Sequence, residues 1–299
     1  MKLFEESENI IIFNCKKDDI NLEEYLYEEN ISGRLFRRLY KNKHIFVNGE
    51  FIRKSKKLKK NDIISIYMED EINNINPENI KLNIVYEDND LLILNKEEDI
   101  VVHPTKSHQS NTLSNGIAYY FKEKNIKKKI RFVNRLDMDT TGILIVAKNP
   151  FAHQQMAIQF ENNTVEKKYL ALVEGIVKKE EEIIDEPIGR EEDKSIRKIV
   201  TPKGQQALTK YKVKARLKEA TLLEVQIFTG RSHQIRVHLN HIGHPIIGDT
   251  LYNKKSPYIK RQALHSYYLK LKHPRTKENI EFIAQLPKDM SLLIDQMKE

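Results

Sequence analysis

Apolar positions along this chain change their spacing several times, and each change predicts an element. Lys167-Lys-Tyr-Leu-Ala-Leu-Val-Glu-Gly175 and Thr221-Leu-Leu-Glu-Val-Gln-Ile-Phe228 alternate with period two, as half-buried strands do. In the first, Tyr169, Ala171 and Val173 share one face, and Leu170 and Leu172 the other. Ile143-Leu-Ile-Val-Ala147 is apolar throughout, which predicts a central strand covered on both sides. Asn83-Ile-Val-Tyr86 and Leu91-Leu-Ile-Leu-Asn95 flank the polar turn Glu87-Asp-Asn-Asp90 as a hairpin, and Leu264 to Leu271 and Ile280 to Ala284 supply further strands. Val101-Val-His-Pro104 is extended, because a residue before proline avoids the helical region. Helical spacing follows Thr112 (Leu113, Ile117, Tyr120, Phe121) and the Asn149-Pro150 start signal (Phe151 to Phe160). A third helix is expected from Thr229-Gly230 through Leu239, with Ile235, Leu239 and Ile242 buried and Gly243 and Pro245 ending it. Glu186-Pro-Ile-Gly-Arg190 reads as a turn and the charged run Glu191 to Lys198 as a mobile loop. Many strands, hairpin links and few helices predict an α+β fold on a mainly antiparallel sheet.

Residues 12–70 read as a separate small α/β unit. Asn21 caps a short helix with Leu22, Tyr25 and Leu26 on one face; a second helix follows Ser32, with Leu35, Phe36, Leu39 and Tyr40 as its apolar stripe. Beside that stripe Arg34, Arg37, Arg38 and Lys41 recur at i, i+3, i+4 and i+7, a one-signed basic face. Ile45 to Ile52 is expected to form a hairpin about Asn48-Gly49, and Asp62 to Tyr67 another strand after a run of six basic residues between Arg53 and Lys60. Two helices, an Asn-Gly hairpin and a basic stripe in this order resemble the S4 RNA-binding module. That resemblance implies that the arginines chelate RNA phosphates; the alternative is a solvated helix face. Glu69 to Asn79 is polar, Asn-rich and broken by Pro77, so it reads as a linker. The expected organisation is thus 12–70, a linker at 71–80, and a larger domain over 81–299.

Composition narrows the class. At 299 residues, 39% apolar and 31% charged, the chain is long enough for two globular domains or one large one. Lysine and arginine exceed aspartate and glutamate by 51 − 43 = 8, a balance that favours a polyanionic partner. Cys15 is the only cysteine, which excludes a disulfide framework and a cysteine-based zinc site. The first residues are acidic and lack the apolar core of a signal peptide, and no apolar run approaches the roughly 20 residues of a membrane span. A cytoplasmic protein with no membrane partner is expected, and nothing in the sequence marks an oligomer interface, so a monomer is expected too.

The candidate chemistry centres on Arg131-Phe-Val-Asn-Arg-Leu-Asp-Met-Asp-Thr-Thr-Gly142, which puts Asp137 in a polar turn before the apolar strand. Taken alone, Asp137 could simply bond backbone amides of its turn. Arg135-Leu-Asp137 with Thr140-Thr-Gly142, Lys167-x-Tyr169, Pro187-Ile-Gly-Arg190, Thr229-Gly-Arg-x-His-Gln-Ile-Arg-Val-His-Leu239, Gly243-x-Pro245 and Gly248-Asp249 form an ordered set. The set resembles the RluA-type pseudouridine synthases over roughly residues 82–287. The resemblance implies a pseudouridine synthase fold on a long mixed sheet flanked by helices, and isomerisation of uridine in RNA without cofactor or metal. It implies that Asp137 acts at ribose C1′, that Arg231 pairs with that carboxylate, that Tyr169 lies against the base, and that Arg135 fills the gap left by an everted nucleotide. Without the set, Arg231 would read as a surface ion pair and Tyr169 as a core residue. Asn134 stands where the family usually has histidine, and Lys96-Glu-Glu-Asp99 replaces a commoner Lys-Pro-Ala-Gly turn. His233, His238, His241 and His244 are read as capping or RNA-contact residues in preference to metal ligands. The expected substrate is structured RNA, large-subunit ribosomal RNA first and transfer RNA second. The competing class is a non-catalytic S4-type RNA-binding or ribosome-assembly protein.

Overall fold

The computed structural model describes residues 5–105, 109–192 and 195–298. The first unit comprises β1 (Ile10–Asn14), β2 (Ile20–Asn21), α1 (Leu22–Glu28), α2 (Gly33–Lys41), β3 (Ile45–Val47), β4 (Lys57–Leu58) and β5 (Ile63–Tyr67). A three-stranded antiparallel sheet, β1-β5-β3, packs Ile11, Ile45, Ile64 and Ile66 against Leu22, Leu26, Phe36 and Leu39 of the two helices. Ser32 accepts the Leu35 N–H and starts α2, whereas Asn21 occupies the cap position of α1 without a side-chain bond. The expected hairpin is cut short. Asn48 and Gly49 take positive φ (51° and 85°), as a tight turn requires, yet only Val47 and Glu50 bridge beyond it. Asn48 instead bonds Asp62 and the Ile63 N–H, fastening the turn to β5, which becomes the partner of β3.

The second unit carries β6 (Ile84–Glu87), β7 (Leu91–Lys96), α3 (Leu113–Glu123), β8 (Arg131–Phe132), β9 (Thr141–Ala147), α4 (Pro150–Glu161) and β10 (Glu166–Glu174). It continues with β11 (Glu181–Asp185), β12 (Ile188–Arg190), β13 (Lys198–Val200), β14 (Leu208–Arg216), β15 (Ala220–Ile227), α5 (Gln234–His241), β16 (Leu264–Lys272), β17 (Asn279–Ile283) and α6 (Lys288–Lys298). Ten of these strands form one sheet in the order β11-β14-β15-β10-β16-β9-β7-β6, with β17 added to β16 and β8 to β9. Among the described residues every pairing in it is antiparallel except β9 with β16. The wholly apolar β9 is buried on both faces: Leu144 and Val146 join one core, Ile143, Ile145 and Ala147 the other. No helix among the described residues is long and apolar enough to cross a membrane.

Two local expectations change. Ile188–Arg190 is not a plain turn but β12, paired with β13, so the charged run after it closes a small hairpin and Lys198 lies in a strand. Asp193 and Lys194 of that run lie outside the described residues. The stretch between the units has no regular structure, but it is tied down: Glu71 N–H reaches Lys127 O, Glu71 pairs with Arg131, and Asn115 donates to Asn76 O.

The first unit is seated firmly on the second. Phe151 of α4 enters the first unit's core, edge-on to Phe13. Buried Lys148 pairs with both Glu8 and Glu87, and Arg275 joins Asp90 to the carbonyls of Ser7 and Ile10.

Gly142 sets the closest approach in the sheet. Its φ is +116°, and a Cβ there would stand 2.2 Å from Ser266 O on β16. Gly142→Ala is therefore expected to destabilise the protein by on the order of 3 kcal/mol, read as a lowered urea midpoint with unchanged slope.

Candidate active site

Asp137 stands in the loop between β8 and β9, and the loop is held from several directions. Asn134 acts as an extra rung of the β8–β9 ladder, donating to Ile143 O and accepting the Ile145 N–H. Thr140 N–H closes the turn onto Asp137 O at 3.1 Å. Below it Lys96, at the end of β7 and 1% exposed, donates to Glu97 O (2.8 Å) and Met138 O (2.5 Å). Burial draws the Lys96 pKa down to about 8, against the opposing pull of Asp139. Arg261 reaches Asp139 O, and Gln262 donates to the Thr140 hydroxyl. With its backbone fixed this way, the Asp137 side chain has little freedom left to lose on meeting a substrate.

The guanidinium on Asp137 belongs to Arg236. Its Nη1 lies 2.8 Å from Asp137 Oδ2, while Nε and Nη2 grip both oxygens of fully buried Asp249 at 2.7 and 2.8 Å. Burial disfavours the Arg236 cation, but the bonds to Asp249 and the charge of Asp137 outweigh this and raise its pKa above the ordinary value. Arg231, the expected partner, does not make this contact: it is exposed, and its Nε donates to Gln206 O. The reason lies in where α5 begins. The helix was expected from Gly230 but starts at Gln234, after a left-handed residue at His233 (φ 56°), so Arg231 precedes the turn and Arg236 falls in the first helical turn. Gln234 holds that entry together by accepting from Thr229 and from the Arg231 N–H and donating to Leu208 O and Thr209.

These groups line one cavity of about 590 Å³, shared by Asp137, Tyr169, Arg135, Arg231, His233, Arg236, Phe132 and others. Tyr169 of β10 forms a wall; burial, opposed by a bond with Ser266, pushes its phenol up to about 12, so it stays protonated near neutral pH. Arg135 is exposed on the rim. The structure thus brings Asp137, Tyr169, Arg135 and Arg231 to one cavity, and Arg34, Arg37, Arg38 and Lys41 lie elsewhere, all exposed on α2. Two of the four histidines have ordinary partners: His238 meets Thr209 and Glu186 O, and His244 meets Glu174 O. Sequence reasoning missed Arg236, Asp249 and Tyr252, whose hydroxyl meets His233. A signal for the first two was present, since an arginine inside a helix of buried residues requires a buried acid, and Gly248-Asp249 offers one in an apolar stretch.

A carboxylate aimed by a buried cation, on the floor of a cavity with an aromatic wall, suits attack on or stabilisation of an electron-poor carbon beneath a flat group. Comparison with known proteins defines the class. Residues 90–241 match the family described as RNA pseudouridylate synthase. An uncharacterized RNA pseudouridine synthase of Bacillus subtilis, YjbO, is 38% identical over 278 residues, covering 92% of this chain and 98% of that protein. The ribosomal large subunit pseudouridine synthase D of Pasteurella multocida is 36% identical over 270 residues, 85% of this chain and 83% of that one. Among solved structures, human RNA pseudouridylate synthase domain containing 1 superposes with a TM-score of 0.57 at 26% identity, covering 73% of this chain and 94% of that one. The chain belongs to the RNA pseudouridylate synthase family. Its reaction is the isomerisation of uridine to pseudouridine in RNA, on the pseudouridine synthase fold.

Lys96→Met keeps the bulk beneath the turn and removes the bonds to it. Turnover is expected to fall about tenfold to a hundredfold while RNA affinity is kept, measured by single-turnover kinetics beside a binding titration. Equal turnover would mean the turn holds itself.

Proposed function

We propose that the protein modifies uridine in large-subunit ribosomal RNA, with Asp137 as the group that acts at ribose C1′. The observation that carries this is the Arg236–Asp137 contact on the cavity floor, facing Tyr169. Asp137 Oδ2 is taken by Arg236; Oδ1 has no protein partner among the described residues and is the oxygen left for the sugar. When the C1′–N1 bond opens, its electron pair departs with the uracil, and the carboxylate bonds to or stabilises the electron-poor C1′. The base then turns over, C5 bonds to C1′, and C5 loses its proton. Because the leaving group is itself recaptured, no second carboxylate is needed to activate water. Tyr169 offers the everted base a flat face, Arg135 on the rim fills the vacated stack, and Arg231 at the mouth meets the RNA strand.

The ribosomal target is supported by the likeness to relatives named for the large ribosomal subunit. The first unit is proposed to be an S4-like module that holds the RNA. Arg34, Arg37, Arg38 and Lys41 are exposed along α2, and among the described residues no carboxylate pairs with any of them. Arg34 and Arg38 also face a cleft of about 420 Å³ whose other wall carries Arg131 and His153 of the second unit. A phosphodiester there would touch both units at once.

Two experiments test these assignments. Ribosomal RNA from a strain lacking the enzyme, incubated with the protein, is expected to gain carbodiimide-dependent reverse-transcription stops. Asp137→Asn is expected to abolish them while RNA binding survives, and stops that persist would remove Asp137 from C1′. Charge reversal at Arg34 and Arg38 is expected to flatten the plot of log affinity against log salt by about one to two units. An unchanged slope would take α2 off the RNA.

A further inference from the structure

His233 sits in the left-handed region, which residues other than glycine enter uncommonly. Its φ and ψ are 56° and 21°, and its side chain makes no cap bond to the helix it precedes. The ring is aimed elsewhere. Nδ1 lies 3.0 Å from the Tyr252 hydroxyl, and that hydroxyl oxygen already accepts the Lys198 N–H at 2.9 Å. The phenol's own proton needs an acceptor, and Nδ1 is the one beside it. Nδ1 is then unprotonated, and a neutral ring carries its proton on Nε2. Burial, the largest influence on this ring, lowers its pKa and favours the neutral form. The tyrosine is itself locked, edge-on to the histidine, with the Arg236 and Arg197 guanidinium groups 5.1 and 5.7 Å from its ring centre.

The free end of the imidazole points into the cavity. Nε2 is 4.0 Å from Asp137 Oδ2, beyond hydrogen-bond reach, so its N–H is left for something that enters between or beside them. We propose that His233 is a further catalytic residue: its Nε2–H donates to the carbonyl oxygen of the everted uracil nearest the scissile bond and stabilises the charge on the detached base. The proposal rests on the reading that Asp137 acts at C1′. On that reading C1′ and its bond to N1 lie against Asp137 Oδ1, and Nε2, 4.0 Å from Oδ2 of the same carboxylate, is the side-chain N–H assigned to O2, the carbonyl oxygen adjacent to N1. When C1′–N1 opens, the bonding pair goes to the base and spreads over N1 and O2, where the N–H meets it.

The same donor serves the second half of the reaction. Uracil is nearly symmetric about the line through N3 and C6, so turning the ring over puts C5 where N1 stood and O4 where O2 stood. C5 returns an electron pair to C1′. Its proton then leaves, the C–H pair restores the C5=C6 double bond, and N1 takes up a proton; charge borne by O4 during that step meets the same N–H. Nothing is consumed beyond the isomerisation.

The test compares RNA carrying uridine with RNA carrying 5-fluorouridine, in a transcript that the unaltered enzyme modifies. C-linked product is followed by nuclease digestion and chromatography under single-turnover conditions; 5-fluorouridine has no C5 proton to lose, so its C-linked product keeps fluorine at C5 and takes up water across the C6–N1 double bond instead of restoring C5=C6. Fluorine at C5 makes the base a better anion and lessens its need for a donor. His233→Phe is expected to slow the uridine reaction about a hundredfold and the fluorouridine reaction about tenfold or less, with RNA affinity kept. His233→Gln, which restores an N–H, is expected to recover at least tenfold of the uridine rate. Equal losses on the two RNAs, an unimpaired His233→Phe enzyme, or no recovery with glutamine would each overturn the proposal. A misfolded His233→Phe enzyme is recognised by its lost RNA affinity, and the rate of His233→Gln on uridine then decides. Asp137→Asn in the same assay separates the two readings: an inactive Asp137 variant beside an unimpaired His233→Phe enzyme sinks only the donor, whereas an active Asp137 variant sinks both.

Discussion

One buried cation organises this molecule's working end. Arg236 is 9% exposed and spans two carboxylates, Asp249 behind it and Asp137 in front. Neither acid comes from its own helix. Asp249 lies in the turn after Pro245, and Asp137 in the loop before β9, so the guanidinium ties three distant stretches of chain to one point. The energetics are one-sided. A buried pair adds little net stability over a well-packed apolar substitute, but removing one partner leaves a charge without compensation and costs about 3–5 kcal/mol. The arrangement is better understood as a device for position: with Nε and Nη2 committed to Asp249, Nη1 has one direction left, and Asp137 stands in it.

The sheet makes that precision possible. β9 enters the core directly after the turn that carries Asp137, and its only parallel neighbour among the described strands, β16, approaches because Gly142 lacks a side chain. His265 on β16 bonds the Thr141 hydroxyl at the same crossing, and burial pulls its pKa down to about 4, so the contact stays neutral across physiological pH. The loop carrying Asp137 therefore leads straight into the point where β9 and β16 approach closest. The first unit is referred to the same frame. Lys148 and Asp90, which hold β1 through Glu8 and Arg275, flank the far ends of β9 and β7. Buried charges therefore hold the basic helix α2 at a set distance from the sheet that carries Asp137, where a flexible tether would leave that distance variable.

Strong periodicity was legible from the residues. The apolar run of β9, the alternation of β10 and β15, the Thr112 and Asn149-Pro150 starts and the hairpin of β6 and β7 all lie where their patterns put them. What escaped had weak or misleading local signals. β14 mixes lysines with its buried Thr209 and Tyr211, so its apolar face is thin; β11 is five residues, four of them charged or exposed. The Asn48-Gly49 turn formed, but register beyond a turn depends on which strand offers the better partner, and β5 did. The choice between Arg231 and Arg236 depended on one backbone angle at His233. A left-handed histidine has no sequence signature, yet it moves the helix start by four residues and decides which guanidinium meets the acid.

The departure at Asn134 illustrates how a substitution near the site can be absorbed by backbone geometry. A side-chain amide carries one acceptor and one donor group spaced like those of a peptide, so it can pair with an open strand edge as a main-chain residue does. Asn134 does this against Ile143 O and Ile145 N, two residues past the point where β8 stops. It extends the ladder toward Asp137 by one rung and leaves only Arg135 and Leu136 between the last fixed residue and the carboxylate. Leu136 is 9% exposed and packs into the core, so the one free side chain in that span is Arg135, on the rim. The loop thus leaves its exposed side chain, Arg135, on the rim of the cavity and holds Asp137 on the cavity floor. The anchoring rung at position 134 is supplied by an amide, which needs no ring to pair with the strand edge.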